Sequence, residues 1–320
     1  MIQPILLGSF FCLIQFVAAL PWLWALDAAT VREQIRKPLS WLLAAIGLLI
    51  GGGLLALIWN LLADNDRLMA AGQIYFAILQ AQLTIDFFLL FFPALTLVWS
   101  KGAAIGLAAF REGVRQPMFW LIGAIALGLM LVSPFLPYFT FGEDLKMVRE
   151  IGFDTTMLSA VLFSVLAASI SISDEIEGRT AITVMSKPVS RRQFLLGKFV
   201  GILCAALLMT MLLTLVFNGV VWFKLWFDKE TIVNPEWAEP VRIALSSRYN
   251  PGAVSFAVGA LIWFEHALAM MPGVLLGFCH AMVLLAAAVA LATRLPMVVN
   301  VVTCLVIFFL GRLMSILVDN

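Results

Sequence analysis

Charge is scarce in this 320-residue chain. Only 12% of its residues are Asp, Glu, Lys or Arg, against 63% hydrophobic, where a soluble domain carries about 25% and 45–50%. Two histidines and four cysteines leave little material for a metal centre. Cys12, Cys204, Cys279 and Cys304 all lie in apolar runs without a CxxC pair, which reads as packed or lipid-facing thiols, since metal ligands come clustered. No basic stripe of useful length exists, so nucleic acid is not a partner. No GxxxxGK[ST] phosphate loop is present. Glu265-His266 is the wrong order for HExxH, and no second His follows four residues on. The start, Met1-Ile2-Gln3-Pro4, has no basic residue ahead of its apolar run, which argues for a retained first span rather than a cleaved leader.

What is abundant is long apolar sequence. Eight runs approach or exceed the ~20 residues that cross a bilayer core: 4–26, 40–63, 74–99, 118–139, 156–173, 195–226, 266–292 and 296–318. They are too long and too continuously apolar for barrel strands, and backbone polar groups in lipid must be satisfied internally. The fold class is therefore all-α, a polytopic transmembrane helical bundle of about eight spans. The larger share of Lys and Arg falls on one set of short loops, with Arg32, Arg36 and Lys37 among them. Taken as the inner set, these loops place both termini outside.

Three segments fall between spans. Residues 101–117 interleave apolar and basic positions, including Arg111, Arg115 and Pro117, as in a helix lying along the inner interface. Residues 140–155 form a short acidic outer loop. Residues 227–262, with Trp237, Tyr249, Pro235, Pro240 and Pro251, form an outer interfacial cap that is partly helical. Residues 1–103 read as a three-span unit and residues 104–320 as the second domain.

A polar island stands between the fifth and sixth spans. Asp174, Glu175 and Glu177 crowd a helix C-terminus, where negative charge is disfavoured, and Gly178 is placed to stop that helix. Ser190 with Gln193 fits a capping box for the next helix, while Arg191 and Arg192 put positive charge at its N-terminus, again against the dipole. The two wrong-signed ends are expected to pair across the loop. Between them Thr180–Met185 can form a short helix, which Pro188 ends by forcing Lys187 extended. Such an apolar-faced element suits the groove of a soluble partner; an ordinary solvated loop that only enforces topology reads equally well from spacing alone.

Ile172-Ser173-Asp174-Glu175-Ile176-Glu177-Gly178-Arg179-Thr180, then Ser186-Lys187-Pro188-Val189-Ser190-Arg191-Arg192 and Gly197-Lys198, strongly resembles the permease subunits of ABC-2-type transporters. Arg111–Pro117 is similar to that family's elbow helix, and Gly142–Lys146 resembles a loop of its bacterial members. The resemblance covers roughly residues 104–310 and implies a membrane subunit in the bacterial inner membrane. Its partners would be a second permease, in a homo- or heterodimer, and two ATPase subunits. The 174–194 loop would carry the coupling helix. It implies export, and no cofactor on this chain, ATP being bound by the partner. The family has six spans after the elbow, where five are read here. Either the last span is lacking, or 261–293 hides a re-entrant piece at Pro272-Gly273.

Other features remain beside that resemblance. Asp86, near the middle of the third span with Gln80, Gln82 and Thr84, costs about 2.5–3.5 kcal/mol at bilayer centre and is a functional candidate for that reason; an acid kept protonated is the plainer reading. Gly47/Gly51, Gly197/Gly201 and Gly273/Gly277 fit GxxxG, a close-packing motif common in apolar chains. Asn218 could bond across helices. Two other functional classes stay open: an intramembrane lipid-modifying enzyme, which wants clustered acids or histidines at one interface, and a non-catalytic membrane scaffold.

Overall fold

The computed structural model describes residues 2–26, 38–136, 144–177, 190–227 and 236–318. All regular structure among them is helical: α1 (Ile2–Leu26), α2 (Pro38–Leu62), α3 (Asn65–Val98), α4 (Ser100–Arg115), α5 (Pro117–Val132), a short 3-10 turn (Ser133–Phe135), α6 (Asp144–Glu177), α7 (Arg191–Phe227), α8 (Ala238–Ser246), α9 (Pro251–Ala292) and α10 (Met297–Val318). Eight of these helices are long and apolar enough to cross a membrane, as the apolar runs predict.

Helix boundaries depart from the sequence reading in three places. The acidic loop expected over 140–155 is helical from Asp144 onward. Val148 there is fully buried and Gly152 lies against the Phe217 ring, so the segment packs rather than loops. The outer cap expected over 227–262 is helical from Pro251, continuous with the seventh span. Asn250 caps that start, its Oδ1 accepting from the N–H groups of Gly252 (3.0 Å) and Ala253 (3.2 Å), and Pro251 occupies the first helical position, where its missing N–H is harmless. Finally, Pro272 sits inside the unbroken α9, so there is no re-entrant break at Pro272-Gly273. Gly273 instead seats the Phe153 ring.

The chain packs as two compact units: Met1–Phe91 with Leu225–Met270, and Phe92–Lys224 with Met271–Asn320. In the first, α1 and α2 cross through Gly8, Gly52 and Gly53. A Cβ on Gly52 would lie 2.6 Å from Cys12 Cβ, and one on Gly53 would lie 2.7 Å from Ile5 Cγ2. Hence only glycine allows this approach. Gly47 and Gly51 face open space, so the close-packing positions are not those the GxxxG spacing suggested. The Ser9 hydroxyl donates to Leu49 O at 2.9 Å. Phe11, Tyr75 and Phe256 pack with ring centroids 5.0–5.8 Å apart, and Tyr75 donates to Phe11 O at 2.8 Å. The Trp263 indole donates to Gln80 at 3.0 Å.

In the second unit α6 and α7 are the most enclosed spans. Phe163, on α6, meets Phe119 edge-on at 5.2 Å, and Phe153 meets Phe217 at 5.1 Å. Fully buried Asn300 on α10 donates to Ser169 Oγ on α6 (2.9 Å) and to Ala288 O on α9 (3.1 Å). Three helices therefore share one satisfied amide.

Candidate functional site

The segment between α6 and α7 is where the sequence concentrates its polar residues. Gly178, Arg179, Thr180, Ser186, Lys187 and Pro188 lie outside the described residues, as do the side chains of Asp174, Glu175 and Glu177. The acid–base clip and the short helix expected at Thr180–Met185 lie there too. What is described is the root of the loop.

The expected capping box is present. The N–H of Gln193 donates to Ser190 Oγ, and the N–H of Ser190 donates to Gln193 Oε1, both at 3.2 Å. Each satisfies a backbone donor that a helix start leaves free, and so offsets the two exposed arginines, Arg191 and Arg192, that follow the cap.

Two turns into α7, Lys198 is buried, with 5% of its side chain exposed. Its ammonium donates to Ser171 Oγ on α6 at 2.7 Å and lies 3.4 Å from Glu112 Oε2 on α4. The Ser171 hydroxyl in turn lies 3.4 Å from both Glu112 oxygens. A buried ammonium without partners would be costly; here a hydroxyl and a carboxylate compensate it. Glu112 is 47% exposed, so the triad has one wet end, and its ion pair is correspondingly screened. Its value is geometric: one cation joins three helices at the foot of the loop.

Small residues bring α4 close enough for that. Gly102, Ala103, Gly106, Ala109 and Gly113 form its buried face, recurring at helical spacing. Opposite stand Gly197 and Gly201 of α7. A Cβ on Gly201 would lie 2.6 Å from Ala109 Cβ, and one on Gly197 would lie 3.0 Å from Gly102 O. Gly113 faces Ala205 Cβ and the Phe163 ring. Arg111 and Arg115 point away, exposed, and Pro117 opens α5 after extended Gln116.

Of the residues singled out by sequence, Gly197 and Lys198 join this junction, Ser190 caps the helix leading into it, and Asp86 belongs to the other unit. Glu112 and Ser171 were not singled out. Gly102-x3-Gly106 was the legible hint for α4; nothing in sequence linked Ser171 to Lys198. Among the described residues no three His, Cys, Asp or Glu side chains are grouped to hold a metal ion. What the junction can do is mechanical: transmit displacement of the loop to α4, α6 and α7 together.

Residues 114–235 match the family model described as ABC-2 family transporter protein. No curated protein and no solved structure matches the chain. The matched stretch takes in α5, α6, α7 and the residues between the last two; Glu112 lies just ahead of it.

Proposed function

We propose that this chain is the membrane-embedded permease subunit of an ATP-driven exporter, moved by a separate ATPase that grips the loop between α6 and α7. The family match supports a transporter membrane subunit. The observation that carries the coupling role is the bridge from Lys198 to Ser171 and Glu112. It ties the helices on both sides of the loop, and the amphipathic α4, into one body at the place a docked partner would push. A coupling element needs differential contact in two states, and a joined root lets a small displacement of the loop bias whole spans.

In this reading two ATPase copies serve a pair of permeases in the bacterial inner membrane. The loop faces the cytoplasm and both termini face outside. Deleting residues 180–188 is then expected to abolish substrate-stimulated ATP hydrolysis in the complex while the chain still inserts. Unchanged stimulation in a correctly inserted deletion would refute the coupling role. Labelling of a Ser186→Cys variant by an impermeant thiol reagent from the outer face of intact cells would refute the orientation.

A further inference from the structure

In the first unit, one face of α1 and one face of α3 carry a polar stripe. Gln15 and Trp22 are seven residues apart on α1, and Gln82 and Asp86 four apart on α3, so each pair shares a helix face. Gln15 Nε2 donates to Gln82 Oε1. Beyond that rung Asp86 is 5% exposed, and neither carboxylate oxygen has a hydrogen-bond partner. Gln15 Oε1 and the Trp22 N–H are also buried without partners; the indole approaches Asp86 but closes no bond.

We infer that Asp86 forms an intramembrane site for a small monovalent cation, a proton or a sodium ion. An anionic, unpartnered carboxylate inside a span is costly, and native structures satisfy almost all buried polar atoms. Both Asp86 oxygens are orphaned, and one positive charge would serve them.

Among the described residues no basic side chain hydrogen-bonds to Asp86. Helices α1 and α2 contain no Lys, Arg or His. The basic residue of α3, Arg67, stands 19 positions before Asp86, about 28 Å along the helix. The other titratable groups on these helices are Cys12, Asp66 and Tyr75. From α8 and the packed part of α9 come Glu239, Arg242, Glu265 and His266; Glu265 accepts the Trp237 indole N–H at 2.6 Å and Arg242 pairs with Glu239 at 3.0 Å.

The occupant is small. A cavity of about 420 Å³ among α1, α2, α3 and the start of α9 reaches Gln15 along an apolar wall of Phe11, Trp59, Tyr75 and Phe256, but neither Trp22 nor Asp86 lines it. An organic amine would need that cavity to open onto the carboxylate.

Dicyclohexylcarbodiimide tests the site on the full chain in native membranes. The reagent takes the proton of a carboxylic acid onto its nitrogen while the carboxyl oxygen bonds its central carbon, so it modifies only the protonated acid in an apolar setting. Peptide mass spectrometry is expected to find an adduct on Asp86 that D86N lacks. If the occupant is a proton, labelling falls about tenfold per pH unit above the titration midpoint and ignores sodium. If it is sodium, replacing potassium by sodium at constant pH suppresses labelling. No adduct on Asp86, or one unmoved by either pH or sodium, overturns the inference. The measurement is made on the wild-type chain, so it stands even if D86N fails to fold, and it is independent of the coupling role of the α6–α7 loop.

Discussion

The Lys198 ammonium on α7 donates to the Ser171 hydroxyl on α6 at 2.7 Å, across the two helix ends that bracket the polar loop. Both side chains are buried. Removing one partner of a buried hydrogen bond to a charged group costs about 1.5–3 kcal/mol, and contacting pairs couple by about 0.5–3 kcal/mol. Ser171→Ala and Lys198→Met should therefore each lower the thermal midpoint of the purified protein, and the double variant should lose less than the sum. Lys198→Met keeps most of the buried stem, so it should be milder than Lys198→Ala. Strict additivity would mean that the two groups do not interact.

Glycine contacts on α7 make a second comparison, because two glycines of one helix sit in opposite surroundings. A Cβ on Gly201 would meet Ala109 Cβ at 2.6 Å and Phe110 N at 3.0 Å, whereas Gly219 has nothing within 4 Å. Gly201→Ala should destabilise by about 1–3 kcal/mol through overpacking and weaken the seat of α4. Gly219→Ala should be neutral or stabilise by up to ~1 kcal/mol, since Ala is the better helix former. Thermal unfolding in detergent separates the two, and equal effects would argue against a close α4–α7 contact.

These contacts show where sequence reasoning stops. All eight spans are legible, because hydropathy marks the bilayer core. It does not mark where a helix ends outside that core. At 34 residues α6 is about 51 Å long against a hydrocarbon core of about 30 Å, so its first turns carry Asp144, Lys146 and Glu150 in helical form. The Asn250-Pro251 start of α9 was readable as an N-cap with proline at the first position, but the surrounding prolines and aromatics suggested a partly helical interfacial cap. The capping box of Ser190 and Gln193 was legible because it is local. The triad was not: Glu112 and Lys198 are 86 residues apart, and Ser171 and Lys198 27 apart. Only packing of the small face of α4 brings them together.

The capping box predicts a local effect distinct from the junction's. Ser190→Ala removes the acceptor for the Gln193 N–H just where Arg191 and Arg192 already oppose the helix dipole. The loss should be about 0.5–2 kcal/mol and only a few tenths for Ser190→Gly. Hydrogen exchange is the fitting readout. Amides in the first turn of α7 should exchange faster, while those beyond Lys198, held by the junction, keep their protection. Uniform loss of protection along α7 would mean that the cap supports more than the helix start.

Asn300 supplies the sharpest chemical contrast in the second unit. Its side-chain nitrogen donates to Ser169 Oγ and to Ala288 O at a fully buried position. Asn300→Asp is nearly isosteric but removes both donors and sets a carboxyl oxygen against a carbonyl oxygen. Asn300→Ala removes the same bonds without adding that conflict, though it leaves a small cavity. Losing the bonds should cost about 1–3 kcal/mol, and N300D should be the worse of the two at neutral pH because a buried charge without a partner is added. Protonating the introduced acid restores one donor, so lowering the pH should narrow the gap between the variants. Thermal midpoints of the three proteins across pH, each read against wild type at the same pH, check the sign. If N300D and N300A lose the same stability at every pH, the amide is not bridging α6, α9 and α10.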